Sequence, residues 1–344
     1  MKNFLLKLFI ASIPLLLLCG WYGYEHWILA TNHDLSQFMQ RGFNRKYLQS
    51  FKDNCSTHNT TSGQHKAFFC HFNQIGTSTC DILVIGDSFS LSKVVRASGI
   101  RSFQQVLSEQ TGLSVATLVH SNTASPFDIA YTILCDNTLC PPPVMVVESV
   151  ERHLIARLQS LSLINLSNYD KDILMDKDLV DNNLCIFVQH RIAHKEGNKV
   201  KLFQTKAPIN SCPHEETHLY TYFQDINFRE RTNKDVAQAA TIIDSLYLIA
   251  QQRNVELICL IAPDKFDLYQ DLIADNPYPR NTLLDKGSTL DRIPFVVNGK
   301  QVLLPLIRQG QKDLYYVDDT HWTPLAAKAI GQTLAHHIIA LKAM

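Results

Sequence analysis

After Cys80 the hydrophobic pattern changes period repeatedly. Asp81-Ile-Leu-Val-Ile-Gly86 is a short apolar run closed by glycine, which reads as a strand buried on both faces of a parallel sheet. Val94–Gln110 reads as a helix that stops at Gly112. Leu113–Val119 is the second strand, and Val144–Val147, after three prolines, the third. Asp235–Gln252 is an amphipathic helix, followed by a strand over Val255–Ala262 that Pro263 ends. Val302–Leu306 and Tyr315–Val317 read as short strands, and Pro324–Leu341 as a closing helix with proline at a permitted first-turn position. Strands alternating with helices in this way predict an α/β/α sandwich on a mostly parallel sheet.

The pattern before Cys80 is different. Lys2 and Lys7 flank or enter an apolar run from Phe4 to Tyr24, and Trp21, Tyr22 and Tyr24 at its end, with Trp27 beyond it, fit an interfacial aromatic belt. The charge-free part is near the lower limit for crossing a bilayer at about 1.5 Å per residue. Residues 1–28 are therefore expected to be an uncleaved signal anchor, a single transmembrane helix, with a cleaved signal peptide as the alternative. By the positive-inside rule the rest of the chain lies outside the cytoplasm. Residues 29–79 form a stalk or cap, and 80–344 the main domain. A polar, Asn-rich stretch at about 159–232 reads as an insertion in that domain.

Charge narrows the classes of partner. The chain of 344 residues has 32 basic and 32 acidic side chains, and this balance argues against nucleic acid, which demands a surplus of Lys and Arg on one face. Nine cysteines suit a compartment that permits disulfides. The pairings read from spacing are Cys55 with Cys70, Cys135 with Cys140, and Cys185 with Cys212. Cys259, inside an apolar strand, reads as a buried free thiol. No Cys-x-x-Cys pair occurs, so a zinc site is not expected, and no other metal or cofactor is assigned.

Two blocks carry chemistry. Gly86-Asp87-Ser88-Phe89-Ser90 follows the first strand directly. A serine there stands at the carboxyl end of a parallel strand, where open α/β sheets place their sites, and faces the N–H groups of the next helix. The alternative is that Ser88 caps that helix. Asp318-Asp319-Thr320-His321-Trp322 precedes the last helix. An imidazole activates a serine by taking its proton, and a carboxylate orients the imidazole, so Ser88, His321 and one of the two aspartates form a candidate triad. Backbone N–H of Ser88 or Phe89, together with Asn122, are candidate oxyanion donors. Arg152 would add charge near the site, or else pair with Glu148 or Glu151 within its own turn. Trp322 would stack on a sugar or cover the triad.

These blocks resemble the SGNH or GDSL hydrolases, in which a Gly-Asp-Ser block follows the first strand and an Asp-x-x-His block precedes the last helix. The resemblance covers about residues 80–340 and implies Ser88 as nucleophile, Asp318 as orienting acid and His321 as base. A closer resemblance is to the SGNH-like proteins of bacterial alginate O-acetylation. Their Asp-Thr-His-Trp matches Asp319-Thr320-His321-Trp322, which shifts the acid to Asp319. Glu148–Arg152 is similar to their Glu-x-x-Glu-Arg, and Pro263–Tyr269 to their Pro-x-Lys-x-x-x-Tyr. In those proteins the histidine block precedes the serine block; here it follows.

The resemblance implies serine-dependent acyl transfer, of O-acetyl in the first instance, to or from a cell-envelope polysaccharide. It also implies a membrane-embedded acyltransferase partner that delivers acetyl groups outward. Two other readings use the same residues: an esterase or lipase acting on small or lipid esters, and an anchored scaffold that binds polysaccharide without turnover. The chain lacks the Gly after the second strand, where His120-Ser121-Asn122 stands, and the Gly-x-Asn-Asp after the third, blocks that in SGNH enzymes supply two oxyanion donors, and this favours the scaffold. A serine, a histidine and two candidate acids favour an enzyme.

Overall fold

The computed structural model describes residues 67–69, 80–91, 102–119, 124–164, 200–211, 216–226, 232–316 and 320–342. The transmembrane helix expected at 1–28 and most of the stalk lie outside them. Among the described residues no helix is long and apolar enough to cross a membrane.

The strands are β1 (Ala67–Phe69), β2 (Ile82–Gly86), β3 (Val115–Val119), β4 (Val144–Val150), β5 (Val200–Gln204), β6 (His218–Tyr222), β7 (Glu256–Ala262) and β8 (Val296–Asn298). Six of them form one sheet in the order β1-β3-β2-β4-β7-β8, every pairing parallel. β5 and β6 form a separate antiparallel pair. The helices are α1 (Ser88–Leu91), α2 (Phe103–Thr111), α3 (Pro126–Cys135), α4 (Glu151–Gln159), α5 (Phe223–Ile226), α6 (Asn233–Gln252), α7 (Lys265–Tyr269), α8 (Gly299–Arg308) and α9 (Pro324–Lys342).

The continuous apolar runs are explained by a core on each side of the sheet. Leu83 and Ile85 of β2, Met145 and Val147 of β4, and Leu257, Cys259 and Ile261 of β7 join a cluster with α3, α4 and α6. The alternate residues Ile82, Val84, Val144, Val146, Ile258 and Leu260 join a second cluster with α2 and α9. Side chains alternate across a strand, so a strand covered on both faces has no polar phase. Fully burying each such side chain is worth about 1.5–3 kcal/mol. Cys259 is buried within the first cluster as a free thiol, its pKa pushed up to about 12 by burial.

Chain ends obey local rules. Ser102 begins α2 with a reciprocal capping box to Gln105, and Gly112 ends it in the left-handed region at φ 70°. Thr232 caps α6 in the same way through Asp235. The first part of the helix expected at 94–110 lies outside the described residues.

Three expectations are corrected. Val302–Leu306 is not a strand but lies in α8, where Asn298 accepts from the N–H groups of Lys300 and Gln301. Leu303 is buried and Val302, Leu306 and Ile307 pack partly beside it, a helical stripe that a short apolar run disguises. Among the described residues Tyr315 makes a single antiparallel bridge, to Trp322, and no strand, and Val317 lies outside them. Cys135 and Cys140 are free and exposed rather than bonded. The turn between them is closed by Arg253 instead, whose guanidinium bonds the carbonyls of Leu134, Asp136 and Leu139 at 2.9, 3.2 and 2.7 Å. The other two pairings involve residues outside the described ones.

The strand order also places the site. β2 leads to β3 on one side, whereas β4, its neighbour on the other side, leads away toward β7. Such a reversal opens a crevice at the carboxyl ends of the two strands. Ser88 follows β2 and Arg152 follows β4.

Candidate active site

Gly86 is where the serine block is built. A Cβ at that position would stand 2.0 Å from Ser90 Oγ and 2.7 Å from Glu148 Oε2, so no other residue allows α1 to lie this close to β4. The next residue, Asp87, is buried and has a structural role. Its Oδ1 accepts the Phe89 N–H at 3.1 Å, and its Oδ2 accepts the Val150 N–H at 2.9 Å and Arg157 Nη1 at 2.7 Å. Asp87 thus caps α1, the role that competed with catalysis for Ser88. Ser88 itself is exposed.

Beneath Asp87 lies a second acid. Glu148 Oε2 accepts the Asp87 N–H at 2.9 Å and the Ser90 hydroxyl at 2.8 Å. Glu148 is completely buried, and burial, reinforced by the charge of Asp87, raises its pKa well above the ordinary carboxylate value. It is held as the neutral acid.

Phe89 points the other way and is buried. Its ring lies 4.9 Å from that of His321 at 52°, and 5.0 Å from that of Trp322 at 82°. The serine block and the histidine block, at opposite ends of the domain's sequence, therefore share one aromatic contact at the carboxyl end of the sheet. His321 is half-buried, with Nε2 inside. Its carbonyl accepts the Tyr316 N–H at 3.2 Å, and the Tyr315–Trp322 bridge closes the same loop.

These contacts bear on two candidate binding residues for which the sequence left alternatives open. The Phe89 N–H is taken by Asp87 and does not face outward as an oxyanion donor. Trp322 is buried, edge-on to Phe89 and, at 5.9 Å, to Phe103, which leaves no exposed face for a sugar. Asn122, Asp318 and Asp319 lie outside the described residues.

Arg152 is paired, though not within its own turn. Its Nη1 bonds Asp225 at 3.1 Å and also Asp264, both aspartates fully buried. Glu151 instead accepts the Asp264 N–H at 3.2 Å and the Asn281 amide. Burial opposes the charge on Arg152, but Asp264 and Asp225 outweigh it and hold the guanidinium protonated. Asp264 is raised well above the ordinary value by burial, against the pull of Arg152. Asp225 also accepts from Thr221 at 2.8 Å and Thr320 at 3.4 Å, linking Arg152 to the residue before His321. Asp225 went unnoticed in the sequence because it falls within the stretch read as an insertion; its neighbours Leu219 and Ile226 are core residues.

Residues 220–344 match the SGNH hydrolase-like domain of the acetyltransferase AlgX. That is the family to which Asp319-Thr320-His321-Trp322 pointed. The AlgX match takes in Asp225, Asp264, Lys265 and His321 and leaves Ser88 and Arg152 outside. Neither a curated protein nor a solved structure matches the chain. The AlgX-like segment thus carries the histidine side of the site, and the parallel sheet brings the serine side to it. Among the described residues, no group of three or more His, Cys, Asp or Glu is arranged to hold a metal ion.

Proposed function

We propose that this protein transfers an acyl group, O-acetyl in the first instance, to or from a cell-envelope polysaccharide through an acyl-enzyme on Ser88. The observation that carries the reading is the His321 ring lying against Phe89, the residue next to exposed Ser88, at the switch point of a parallel sheet. The AlgX match supports the choice of acetyl transfer, and the polysaccharide follows from the resemblance of Asp319-Thr320-His321-Trp322 to the alginate O-acetylation proteins.

In this reading Ser88 Oγ attacks the acetyl carbonyl while the His321 imidazole takes its proton. Asp319, with Asp318 as the rival, accepts the other imidazole N–H and steadies the imidazolium. The tetrahedral oxyanion is met by the Ser88 N–H at the start of α1, with Asn122 as the second donor. Collapse expels the donor alcohol, which leaves with the proton from His321. A sugar hydroxyl then gives its proton to His321, attacks the acyl-enzyme and takes the acetyl group, and Ser88 Oγ leaves with the proton from His321. Water in place of the sugar gives an esterase. The N-terminal segment would anchor this domain on the periplasmic side of the inner membrane, beside a membrane-embedded acyltransferase that supplies acetyl groups.

The test incubates the full-length protein in detergent with a chromogenic acetyl ester, with and without an oligosaccharide acceptor. Release of chromophore, an acetyl adduct on Ser88 by mass spectrometry and acetylated oligosaccharide are expected. Loss of all three in Ser88→Ala completes the case. Release that survives Ser88→Ala sinks it, and binding of oligosaccharide without any release favours the scaffold.

A further inference from the structure

Lys265 is 1 % exposed, and its ammonium group donates to the Tyr316 carbonyl at 2.6 Å. Burying an ammonium group costs several kcal/mol unless it is well paired, and an apolar side chain of similar length fills the same space without that penalty. A lysine here therefore demands a reason. The peptide groups it reaches supply one. Tyr316 N–H is bonded to the carbonyl of His321, so with Lys265 on its carbonyl the residue is fixed through both backbone groups. One residue earlier, the Tyr315 hydroxyl donates to the Pro263 carbonyl at 2.5 Å. On the far side of the loop, Thr320 donates to Asp225, which Arg152 holds together with Asp264. The turn Pro263–Lys265, where the chain leaves β7, thus grips residues 315–316 from two directions, and its middle residue shares the salt bridge that holds the other end.

We infer that the Pro263–Lys265 turn is the positioning element for His321, with Lys265 as its principal residue. This rests on the proposed role of His321 and deepens it. Lys265 does not touch the reacting atoms. It fixes the Tyr316 peptide, whose N–H holds the His321 carbonyl, and so sets where the imidazole stands relative to Ser88. A misplacement of about 1 Å in such a geometry can lower turnover by about a hundredfold without loosening substrate binding.

The experiment compares full-length wild type with Lys265→Met, Lys265→Arg and Tyr315→Phe. Two readouts are used: steady-state hydrolysis of the acetyl ester across pH, and the His321 titration by NMR of histidine-labelled protein, assigned with His321→Gln. Lys265→Met is expected to lower kcat by about tenfold or more with KM within about twofold. It should also displace the acid limb of the pH profile and the His321 midpoint together. Tyr315→Phe should move both in the same direction by less, and Lys265→Arg should restore part of kcat. If Lys265→Met does not fold, Tyr315→Phe alone decides. Folded variants with an unchanged His321 midpoint and unchanged kcat overturn the inference. A wild type without esterase activity overturns the proposed function instead, and the His321 titration still judges the turn.

Discussion

Glu148 accepts the backbone N–H of Asp87 at 2.9 Å, so the acid of the serine block stands directly on a second, fully buried acid. Two carboxylates this close are not both ionised in a dry site, and Arg157 is bonded to Asp87 rather than to Glu148. Glu148 is the member that keeps its proton.

The first prediction follows from that proton. Glu148→Gln keeps an oxygen for the Asp87 N–H and the Ser90 hydroxyl and mimics the neutral acid. Its stability should lie within about 1 kcal/mol of wild type at mildly acidic pH, whereas Glu148→Ala strands two donors at about 1–3 kcal/mol each. Denaturant unfolding of both variants measures this. A larger loss in Gln than in Ala would mean that Glu148 is ionised in the native protein.

Stability should also fall as pH rises. Asp267 is pushed up to about 6 by burial, against the pull of Lys300 at 2.8 Å. Glu148 and Asp264 are raised in the same direction. A group whose folded pKa is raised contributes stability that is complete below its unfolded value and is lost as pH climbs through the folded one. For Asp267 the window runs from about 4 to about 6, and the loss is on the order of 1–3 kcal/mol. Asp267→Asn should flatten the slope of unfolding free energy in that window. A wild type whose stability rises steadily from pH 4 to 6 would contradict these buried acids.

Gly86→Ala is the sharpest steric test. The new methyl would overlap Ser90 Oγ at 2.0 Å, and α1 must move to admit it. Overpacking of this kind costs about 1–3 kcal/mol. Because Ser88 shares α1 with Ser90, esterase activity should drop by more than the unfolded fraction explains. Activity and thermal midpoint measured on one sample separate the two, and an unaffected midpoint would show that α1 shifts freely.

How much of this was legible in the sequence depended on the range of the interaction. β2, β4 and β7 announced themselves because burial on both faces leaves a run with no polar phase. Asp87 and Ser88 sit where the end of such a strand must put them. Val302–Leu306 was misread because five apolar residues hold less than two helical turns, too few to reveal a period. The partners of Arg152 were invisible for a different reason. Local spacing offered Glu148 and Glu151, and only the packing of α5 and the end of β7 against α4 brings Asp225 and Asp264 to it instead. Trp322 gave no local sign of burial, since a tryptophan beside a catalytic loop serves equally as a lid or as a binding platform.

Arg152 carries a prediction of its own. Its removal leaves Asp225 and Asp264 buried without their cation, and breaking such a cluster from one side costs about 3–5 kcal/mol. Arg152→Leu should show that loss in denaturant unfolding, and adding Asp225→Asn should recover part of it. A double variant that loses the sum of both single effects would show that the ion pair contributes nothing.

The last prediction concerns the acid that orients His321. Spacing in ordinary SGNH hydrolases selects Asp318, and the Asp-Thr-His-Trp block selects Asp319. The AlgX match over residues 220–344 takes in both aspartates, and the expectation for Asp319 rests on Thr320, His321 and Trp322 continuing the Asp-Thr-His-Trp block. Thr320 is buried and bonded to Asp225, and the His321 carbonyl is bonded to Tyr316, so the loop is fixed where it meets His321. Replacing the orienting acid of a Ser-His-Asp triad by Asn lowers turnover by about four orders of magnitude. Losing a helix cap costs only about 1 kcal/mol of stability and leaves chemistry intact. Asp319→Asn should therefore nearly abolish ester hydrolysis in a folded protein, and Asp318→Asn should leave most of it. The reverse result would assign the orienting role to Asp318. Mild and equal effects from both would mean that neither carboxylate serves His321, and the triad would fall with them.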